Sequence, residues 1–344
     1  MSPIQQMLLG VGAVATKTYV DDIFSTFLYK GNDSSITVNN SLDLSTEGGL
    51  VWVKNRTTSY GHFLFDTERG TTTALSSNLD NANFSETKGV TSFNSNGFTI
   101  GGSGADSAFN SSSHDYASWT FRKAPGFFDV VTYTGTSSTL NVAHNLGCVP
   151  GCILIKCTDQ NGYNWQVYHR GIGNTKSLKL DSTDAEITGN YFNDTSPTST
   201  HFTVGATGNV NYNGFTYVAY VFAHDEQSFG EDANSSVIKC GSYTTDSNED
   251  ATINLGWEPQ WVLAKRTDSS TGGDWFIIDS MRGFMNAQDI EANNGGSKYV
   301  EPNTSDAEAD TSRMGLTSTG FYADQFGSNR TFIYMAIRRS DGYV

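Results

Sequence analysis

Residues 49–70 read GLVWVKNRTTSYGHFLFDTERG, and two later stretches of the chain repeat their pattern. Residues 151–171 read GCILIKCTDQNGYNWQVYHRG, and residues 260–283 read QWVLAKRTDSSTGGDWFIIDSMRG. Each copy has an apolar run, a lysine, a polar turn, an aromatic-rich run and a closing Arg-Gly pair. Because such self-similarity marks a structural unit that is used more than once, the three copies predict a repeat architecture.

The repeat continues on both sides of each copy. A hairpin-like segment that starts at Tyr29, Tyr133 or Tyr243 precedes it, and a strand-turn-strand pair follows it. Three sets of residues correspond between the copies: Lys54, Lys156 and Lys265; Phe98, Phe202 and Phe321; Tyr116, Tyr217 and Phe332. A unit of about 100 residues with short alternating strands has the size of one β-sandwich. The sequence therefore predicts an all-β fold of three tandem β-sandwich or jelly-roll-like units.

The units are expected at residues 29–125, 126–230 and 231–344, after an N-terminal arm at residues 1–28. The segment 18–29 is the best helix candidate and would form a short helix at the end of the arm. Polar segments at 76–82, 178–185 and 305–309 are predicted to connect strands over a sheet edge. The arm has no core of its own, so its apolar residues are expected to dock on a partner or a neighbouring subunit. These residues are Met7, Leu8, Leu9, Val11 and Val14.

The net charge argues against a nucleic-acid partner, and the length of the apolar runs argues against membrane insertion. The 344 residues include 21 Lys and Arg against 36 Asp and Glu, a net charge of −15. A nucleic-acid-binding protein needs a basic surface to displace counterions, so no nucleic acid is expected. No apolar run approaches the ~18–20 residues that cross a bilayer, so no membrane insertion is expected.

Signatures of catalysis are weak. The chain lacks the nucleophile elbow, the zinc-protease helix and the phosphate-binding loop of the common enzyme classes. Asp66 and Glu68 would share one face of a strand and form a glycosidase-like pair, but the second copy has no carboxylates there. We therefore predict that the protein is not an enzyme. The Arg-Gly pairs of Arg69, Arg170 and Arg282 are expected to serve the fold, pairing with neighbouring acids or carbonyls.

Metal and cofactor signals are also weak, and none is predicted. His144, Cys148, Cys152 and Cys157 have zinc-like spacing, but a strand turns Cys152 and Cys157 to opposite faces. The segment 246–250 begins like a calcium loop without completing it, so a weak calcium site near Asp246 stays open.

Aromatic residues follow the polar turn of each copy. Exposed aromatic side chains beside amides and carboxylates stack on sugars or anchor interfaces, whereas the alternative places them at the start of the second core strand. The candidates for contact with a glycan or host surface are Tyr60, His62, Tyr163, Asn164, Trp165 and Trp275.

Four segments carry a family resemblance: 49–56, 66–70, 96–101 and 116–122, each echoed in the later copies. They resemble a domain of unknown function that recurs in structural proteins of marine tailed phages, including cyanophages. The resemblance covers nearly the whole chain from about residue 29 onward. It implies a virion protein in a tail fibre or another appendage, and it brings no catalytic residues.

The resulting expectation is a non-enzymatic phage virion protein. The arm would anchor it to other virion proteins or to its own copies, a homotrimer would form, and the outer loops would contact a host-surface glycan. Its location would be the virion, hence extracellular once assembled. The alternative is a capsid decoration protein or a filament-forming subunit with a purely structural role.

Overall fold

The computed structural model describes residues 17–101, 108–292, 295–311, 313–324 and 326–340. The arm residues Met7, Leu8, Leu9, Val11 and Val14 lie outside the described residues. Antiparallel sheets make up nearly all of the regular structure, which confirms the predicted all-β fold of β-sandwich character.

The first unit pairs a six-stranded sheet, in the order β1-β9-β3-β4-β5-β6, with a three-stranded sheet, in the order β2-β8-β7. Its strands are β1 (Phe24–Lys30), β2 (Ile36–Asn39), β3 (Gly49–Asn55), β4 (His62–Asp66), β5 (Gly70–Ser76), β6 (Phe84–Ser85), β7 (Val90–Asn94), β8 (Gly97–Ile100) and β9 (Asp115–Arg122).

The second unit repeats this plan with a large sheet in the order β10-β17-β12-β13-β14-β15 and a two-stranded sheet of β11 and β16. Its elements are β10 (Phe128–Thr134), β11 (Leu140–Ala143), β12 (Cys152–Cys157), β13 (Gln166–His169), β14 (Gly173–Lys179), β15 (Ile187–Thr188), β16 (His201–Val204), a helical turn (Gly208–Asn211) and β17 (Thr216–Phe222).

The third unit has the large sheet β18-β26-β20-β21-β22-β23 and the small sheet β19-β25-β24. Its elements are β18 (Ile238–Thr244), β19 (Ala251–Asn254), β20 (Pro259–Arg266), β21 (Trp275–Asp279), a short helix (Ala287–Glu291), β22 (Ser297–Val300), β23 (Ala309–Thr311), β24 (Met314–Thr317), β25 (Gly320–Ala323) and β26 (Thr331–Arg338).

The large sheets are buried on both faces, as β3 illustrates. All seven of its residues are buried. Successive side chains of a strand point to opposite faces, and here Val51 and Val53 join the core between the two sheets of the first unit. Leu50 and Trp52 join a second core that contains residues of all three units. Each large sheet therefore packs on its own small sheet and on the other two large sheets.

Aromatic residues at the centre bring the three large sheets together. The Phe121 side chain of the first unit lies 5.5 Å from Phe222 of the second and 5.8 Å from Trp261 of the third, measured between ring centroids, in edge-on contacts. Leu50 pairs with Phe121, Cys152 pairs with Phe222, and Trp261 pairs with Ile337. Corresponding positions of the three repeats thus meet around one axis, and the chain forms a closed three-unit ring with approximate threefold symmetry.

Three loops, which we call the bridging loops, close this ring. The first (77–83) lies on the second unit, where Asn83 N donates to Thr158 O at 2.9 Å. The second (180–186) lies on the third unit, where Glu186 N donates to Thr267 O at 2.8 Å. The third (301–308) returns to the first unit, where Glu308 N donates to Arg56 O at 3.0 Å. These loops include most of the polar segments predicted to cross a sheet edge, and the edge belongs to the next unit.

The helix predicted at residues 18–29 is wrong. Val20–Asp22 form a single 3-10 turn, and Phe24–Lys30 form β1, which pairs with β9 along its whole length. A boundary at residue 28 therefore falls inside a strand of the first unit. The segment is a strand because pairing with β9 satisfies its backbone and buries Phe24 in the central core.

The predicted correspondence of Arg170 with the other two arginines is also wrong. Asp66 pairs with Gly70, and His169 pairs with Gly173. Gly70 and Gly173 have φ angles of +81° and +79°, so both turns need the left-handed backbone that glycine adopts readily. The second unit therefore has His169 where the first has Asp66, and Arg170 lies in a different part of the turn.

Candidate functional site

Three of the predicted contact residues are buried inside the ring. His62 pairs with Lys54 and Trp275 pairs with Lys265, and Trp165 corresponds to them because it directly precedes Gln166, which pairs with Ile155 before Lys156. Trp165 and Trp275 donate their indole N–H to another unit, to Ser76 O at 2.9 Å and Lys179 O at 2.8 Å. His62 is fully buried and accepts from Trp52 Nε1 at 3.0 Å. Their assignment as glycan contacts is wrong, because interfaces between units cover them.

Three lysines are buried at the same interfaces. Lys54, Lys156 and Lys265 have no exposed surface, and each ammonium donates to a carbonyl of a bridging loop from another unit. The acceptors are Ser305 O at 3.0 Å, Asp80 O at 3.1 Å and Thr183 O at 2.9 Å, respectively. Burial lowers the pKa of each lysine to about 8. Their repeated position in the sequence therefore reflects a structural role in ring closure.

The inner end of each interface has its own polar contact. Asp66 pairs with Arg69 at 2.6 Å and accepts from Tyr220 Oη of the second unit at 2.8 Å. In the same way, Asp279 pairs with Arg282 at 2.6 Å and accepts from Trp119 Nε1 of the first unit at 2.9 Å. Asp66 is therefore committed to a structural ion pair, which argues against its use as a glycosidase carboxylate.

The interface between the second and third units replaces this carboxylate with a histidine. His169 Nε2 lies 3.0 Å from Tyr334 O, and its Nδ1 accepts from Gly171 N at 3.1 Å. Burial lowers the pKa of His169 to about 3, opposed by the Tyr334 carbonyl and assisted by the nearby Arg170. The imidazole is therefore neutral and uses both of its nitrogen atoms.

The remaining candidates lie at the end of the ring where β17 begins, which we call the loop end. Tyr60, Tyr163 and Asn164 are half-buried. Tyr163 packs edge-on against Phe215 at 5.5 Å, and Phe215 contacts Tyr212 at 4.5 Å. Tyr212 is 50% exposed, and it is the one aromatic residue among the exposed large hydrophobic side chains of the described ranges. Sequence reasoning missed it, although its place next to the Asn213-Gly214 turn was a usable signal.

Asn164 lies beside the same aromatic group. Its Nδ2 donates to Asp181 Oδ2 at 3.1 Å, and burial raises the pKa of Asp181. An exposed tyrosine with an amide and a carboxylate nearby is the one combination among the described candidates that could stack on and hydrogen-bond a polar ligand.

The opposite end of the ring, which we call the terminus end, gathers the ends of the described chain. Gly230 N donates to Thr18 O at 2.9 Å, and Tyr19 Oη donates to Glu231 at 2.6 Å. Ser340 Oγ contacts Asp21. A cleft at this end is lined by residues near the start of the chain and both inter-unit linkers: Thr18, Glu47, Arg122, Lys123, Pro125 and Phe229. The arm therefore joins the ring at this end.

Within the described ranges, no group of three or more His, Cys, Asp or Glu side chains is placed to hold a metal ion. All four cysteines are buried free thiols, and burial raises the pKa of Cys148 to about 11. Asp246 Oδ1 accepts from Asn248 N at 2.7 Å and from Asp250 N at 3.1 Å, so this oxygen is used by its own turn. No helix in the described part of the chain has the length and apolarity needed to cross a membrane.

These features define an all-β protein whose three repeats form one pseudo-threefold ring and whose recurring polar residues serve the ring interfaces. A family model described as "Domain of unknown function (DUF7483)" matches residues 20–340, and the chain belongs to this family. The match runs from the 3-10 turn before β1 to just beyond β26, so it treats the three-unit ring as one domain.

Other comparisons add little. The search of curated proteins found no match. Among solved structures, one titled "Crystal Structure of the STIV MCP" is similar at 8% identity, with 62% of this chain and 92% of that chain covered. Its TM-score is 0.19, and a similarity of this size supports no conclusion about fold or function.

Proposed function

We propose that the chain is a non-enzymatic structural subunit of a phage virion, in a tail fibre or another appendage. The observation that carries the proposal is that the two ends of the ring differ: the arm joins at the terminus end, and Tyr212 is exposed at the loop end. Strand β17 runs from the loop end to the terminus end, and seven residues at ~3.3 Å each separate the two by about 20 Å. One end is thus free to attach while the other contacts a second surface.

The polar residues of the interfaces support a structural role. Buried lysines and Asp–Arg pairs also occur at active sites, but here these residues form hydrogen bonds with neighbouring units. The contact residues that remain accessible are Tyr60, Tyr163, Asn164 and Tyr212. Under this proposal they face a host-surface glycan, and the arm residues 1–16 bind other virion proteins.

A homotrimer is not required to obtain threefold symmetry, because one chain already provides three corresponding units. The oligomeric state therefore stays a prediction, to be measured by light scattering on the purified protein.

The capsid decoration or filament alternative has one observation in its favour. A pseudo-threefold ring fits a threefold axis of a particle as well as it fits the axis of a fibre. Both proposals place the protein in the virion, and they differ in where it sits and in what the loop end does.

Electron microscopy of native particles with antibody labelling of this chain separates the two. Label at tail tips or radiating fibres supports the appendage proposal, and label over the capsid or along free filaments overturns it in favour of the alternative. A second experiment compares deletion of residues 1–16 with the Tyr212→Ala substitution. The appendage proposal expects the deletion to abolish incorporation and Tyr212→Ala to weaken only cell binding.

A further inference from the structure

The two linkers that join the units differ in length and in packing. Between β9 and β10 the first linker has five residues (123–127), and its Phe127 is fully buried in the central core. Between β17 and β18 the second linker has fifteen residues (223–237), of which Ala223, Phe229 and Val237 are buried in the central core and residues 231–234 are exposed. At ~3.3 Å per residue the second linker reaches about 50 Å once its buried residues have left the core. The third unit is therefore joined to the rest by the longer and more accessible connection.

The third unit closes the ring against the first without a covalent link between them. This interface, which we call the closing interface, contains an ion pair that the other two lack. Arg56 donates twice to Glu308 of the third bridging loop, through Nε and Nη2, at 2.8 Å each. The residues two positions after the buried lysine in the other units are Thr158 and Thr267, which offer only neutral groups. Among the described residues, only this interface forms an ion pair within 4.0 Å between a bridging loop and its receiving strand, whereas Asp80 and Asp184 act on Lys156 and Lys265 through longer-range attraction.

The Arg56–Glu308 ion pair is well placed to control whether the third unit closes on the first. The Arg56 side chain is 20% exposed and that of Glu308 is 10% exposed, so the pair is largely shielded from solvent. Arg282 Nη1 lies 3.5 Å from Glu308, and Ser77 Oγ donates to Pro302 O at 2.6 Å in the same interface. Reversing one charge would place like charges in a partly buried site, and that costs far more than losing an exposed ion pair.

We propose that the third unit is exchangeable: through the second linker it closes on the first and second units of a second copy of this chain. The receiving surface is the strand end at Lys54 and Arg56 with the Ser77 region, and the partner is the third bridging loop of another copy. This inference goes beyond the proposed function, since it holds wherever the protein sits.

The geometry of the ring makes the exchange reciprocal. Each interface is of the head-to-tail kind, in which the bridging loop of one unit binds a different surface of the next. Such interfaces close into rings or continue into larger assemblies, and exchange of an identical element is a low-cost route between the two. A tethered unit has an effective concentration in the millimolar range, so the single chain prevails when dilute and exchange needs high concentration or opening.

A charge-reversal pair tests the exchange. Arg56→Glu leaves two acids facing each other at the closing interface, and Glu308→Arg leaves only bases there, because Arg282 lies beside the same position. Either variant alone is repelled by its own third unit and by that of an identical copy. In a mixture, one chain of each variant can exchange third units. The two substituted side chains then meet at one closing interface, and the two original side chains meet at the other. We expect the two variants, mixed in equal amounts in mild urea and dialysed, to give a species of twice the mass of one chain.

The double variant Arg56→Glu/Glu308→Arg is the matched control. It restores an ion pair within one chain, with Arg282 beside position 308 as it would be in the exchanged species, and should keep the mass and the far-ultraviolet spectrum of the unchanged protein. If the mixture stays monomeric while the double variant folds, the proposal is overturned. If the variants do not fold, the unchanged protein is refolded from urea at low and high concentration. A dimer that forms at high concentration and persists on dilution supports exchange, and monomer at both concentrations overturns it.

Discussion

At the scale of single residues, burial decides which aromatic side chains are available for contact. Trp165 follows a polar turn, and a sequence cannot distinguish a tryptophan exposed at the start of a strand from one covered by another unit. The structure places it in the central core with its indole N–H bonded to Ser76 O. Tyr212, next to an Asn-Gly turn, is the exposed counterpart. The turn chemistry was readable from sequence, whereas the second buried face of the sheet was not.

Trp165→Ala should therefore destabilise the fold. Loss of a fully buried tryptophan leaves a cavity and an unpaired carbonyl at Ser76, at a cost of roughly 3–5 kcal/mol. Urea unfolding followed by circular dichroism measures this difference. Tyr212→Ala is the matched aromatic control and should change the free energy of unfolding by less than about 1 kcal/mol. Equal losses for the two variants would mean that Trp165 is not part of the core.

His169 makes the stability of the fold depend on pH. Its folded-state pKa is about 3, below the ordinary histidine pKa of 6.5. The unfolded state therefore binds more protons between these values, so stability is fully present above pH ~6.5 and declines on acidification. The slope from this residue approaches ~1.4 kcal/mol per pH unit. His62, His144 and His224 act in the same direction, whereas Glu301, whose pKa is raised to about 7, acts in the opposite one.

The test is His169→Gln, which keeps a donor for Tyr334 O and an acceptor for Gly171 N without a proton to gain. Urea midpoints at pH 7 and pH 4.5 should differ less in the variant than in the unchanged protein. An unaltered difference would show that another group is responsible for the acid sensitivity.

At the scale of elements, the bridging loops explain why the lysine recurs. The sequence predicted loops over a sheet edge and aligned Lys54, Lys156 and Lys265 correctly, as the strand register confirms. It did not indicate that the edge belongs to the next unit, because no local pattern encodes a contact between Lys156 and Asp80, which are far apart in the chain. The segment 18–29 shows the same limit, since only pairing with β9 decides that most of it is a strand.

Lys156→Met should loosen the first bridging loop. The variant keeps a side chain of similar length but removes the donor to Asp80 O and Tyr163 O. Loss of these bonds should cost about 1–2 kcal/mol. Leu79 of that loop is 43% exposed, so chymotrypsin cleavage after it should become roughly tenfold faster. The exposed Lys30, changed to Met, serves as the control and should leave cleavage unchanged. Equal cleavage rates for the two variants would show that Lys156 does not hold the first bridging loop in place.

At the scale of the whole molecule, the ring brings the ends of the described chain together. Ser340 contacts Asp21, so a short Gly-Ser linker between residues 340 and 17 would close the chain without strain. A circular permutant that begins at Asp232 and ends at Glu231, within the second linker, should fold to the same mass as the original, with a thermal midpoint within a few degrees of it. Light scattering and calorimetry test this. Aggregation of the permutant under conditions where the original stays monomeric would count against a closed ring.

A further consequence concerns how such a chain would look after image averaging. Asp66, His169 and Asp279 occupy corresponding places in the three units, yet a single polypeptide encodes each one separately. If the protein sits on a threefold axis of a particle, it can be seated in three rotational settings that its partner barely distinguishes. A reconstruction with imposed threefold symmetry would then superimpose a carboxylate on an imidazole and merge the two linkers with the gap between the chain ends. Refinement without imposed symmetry would be needed to recover one chain from the apparent trimer.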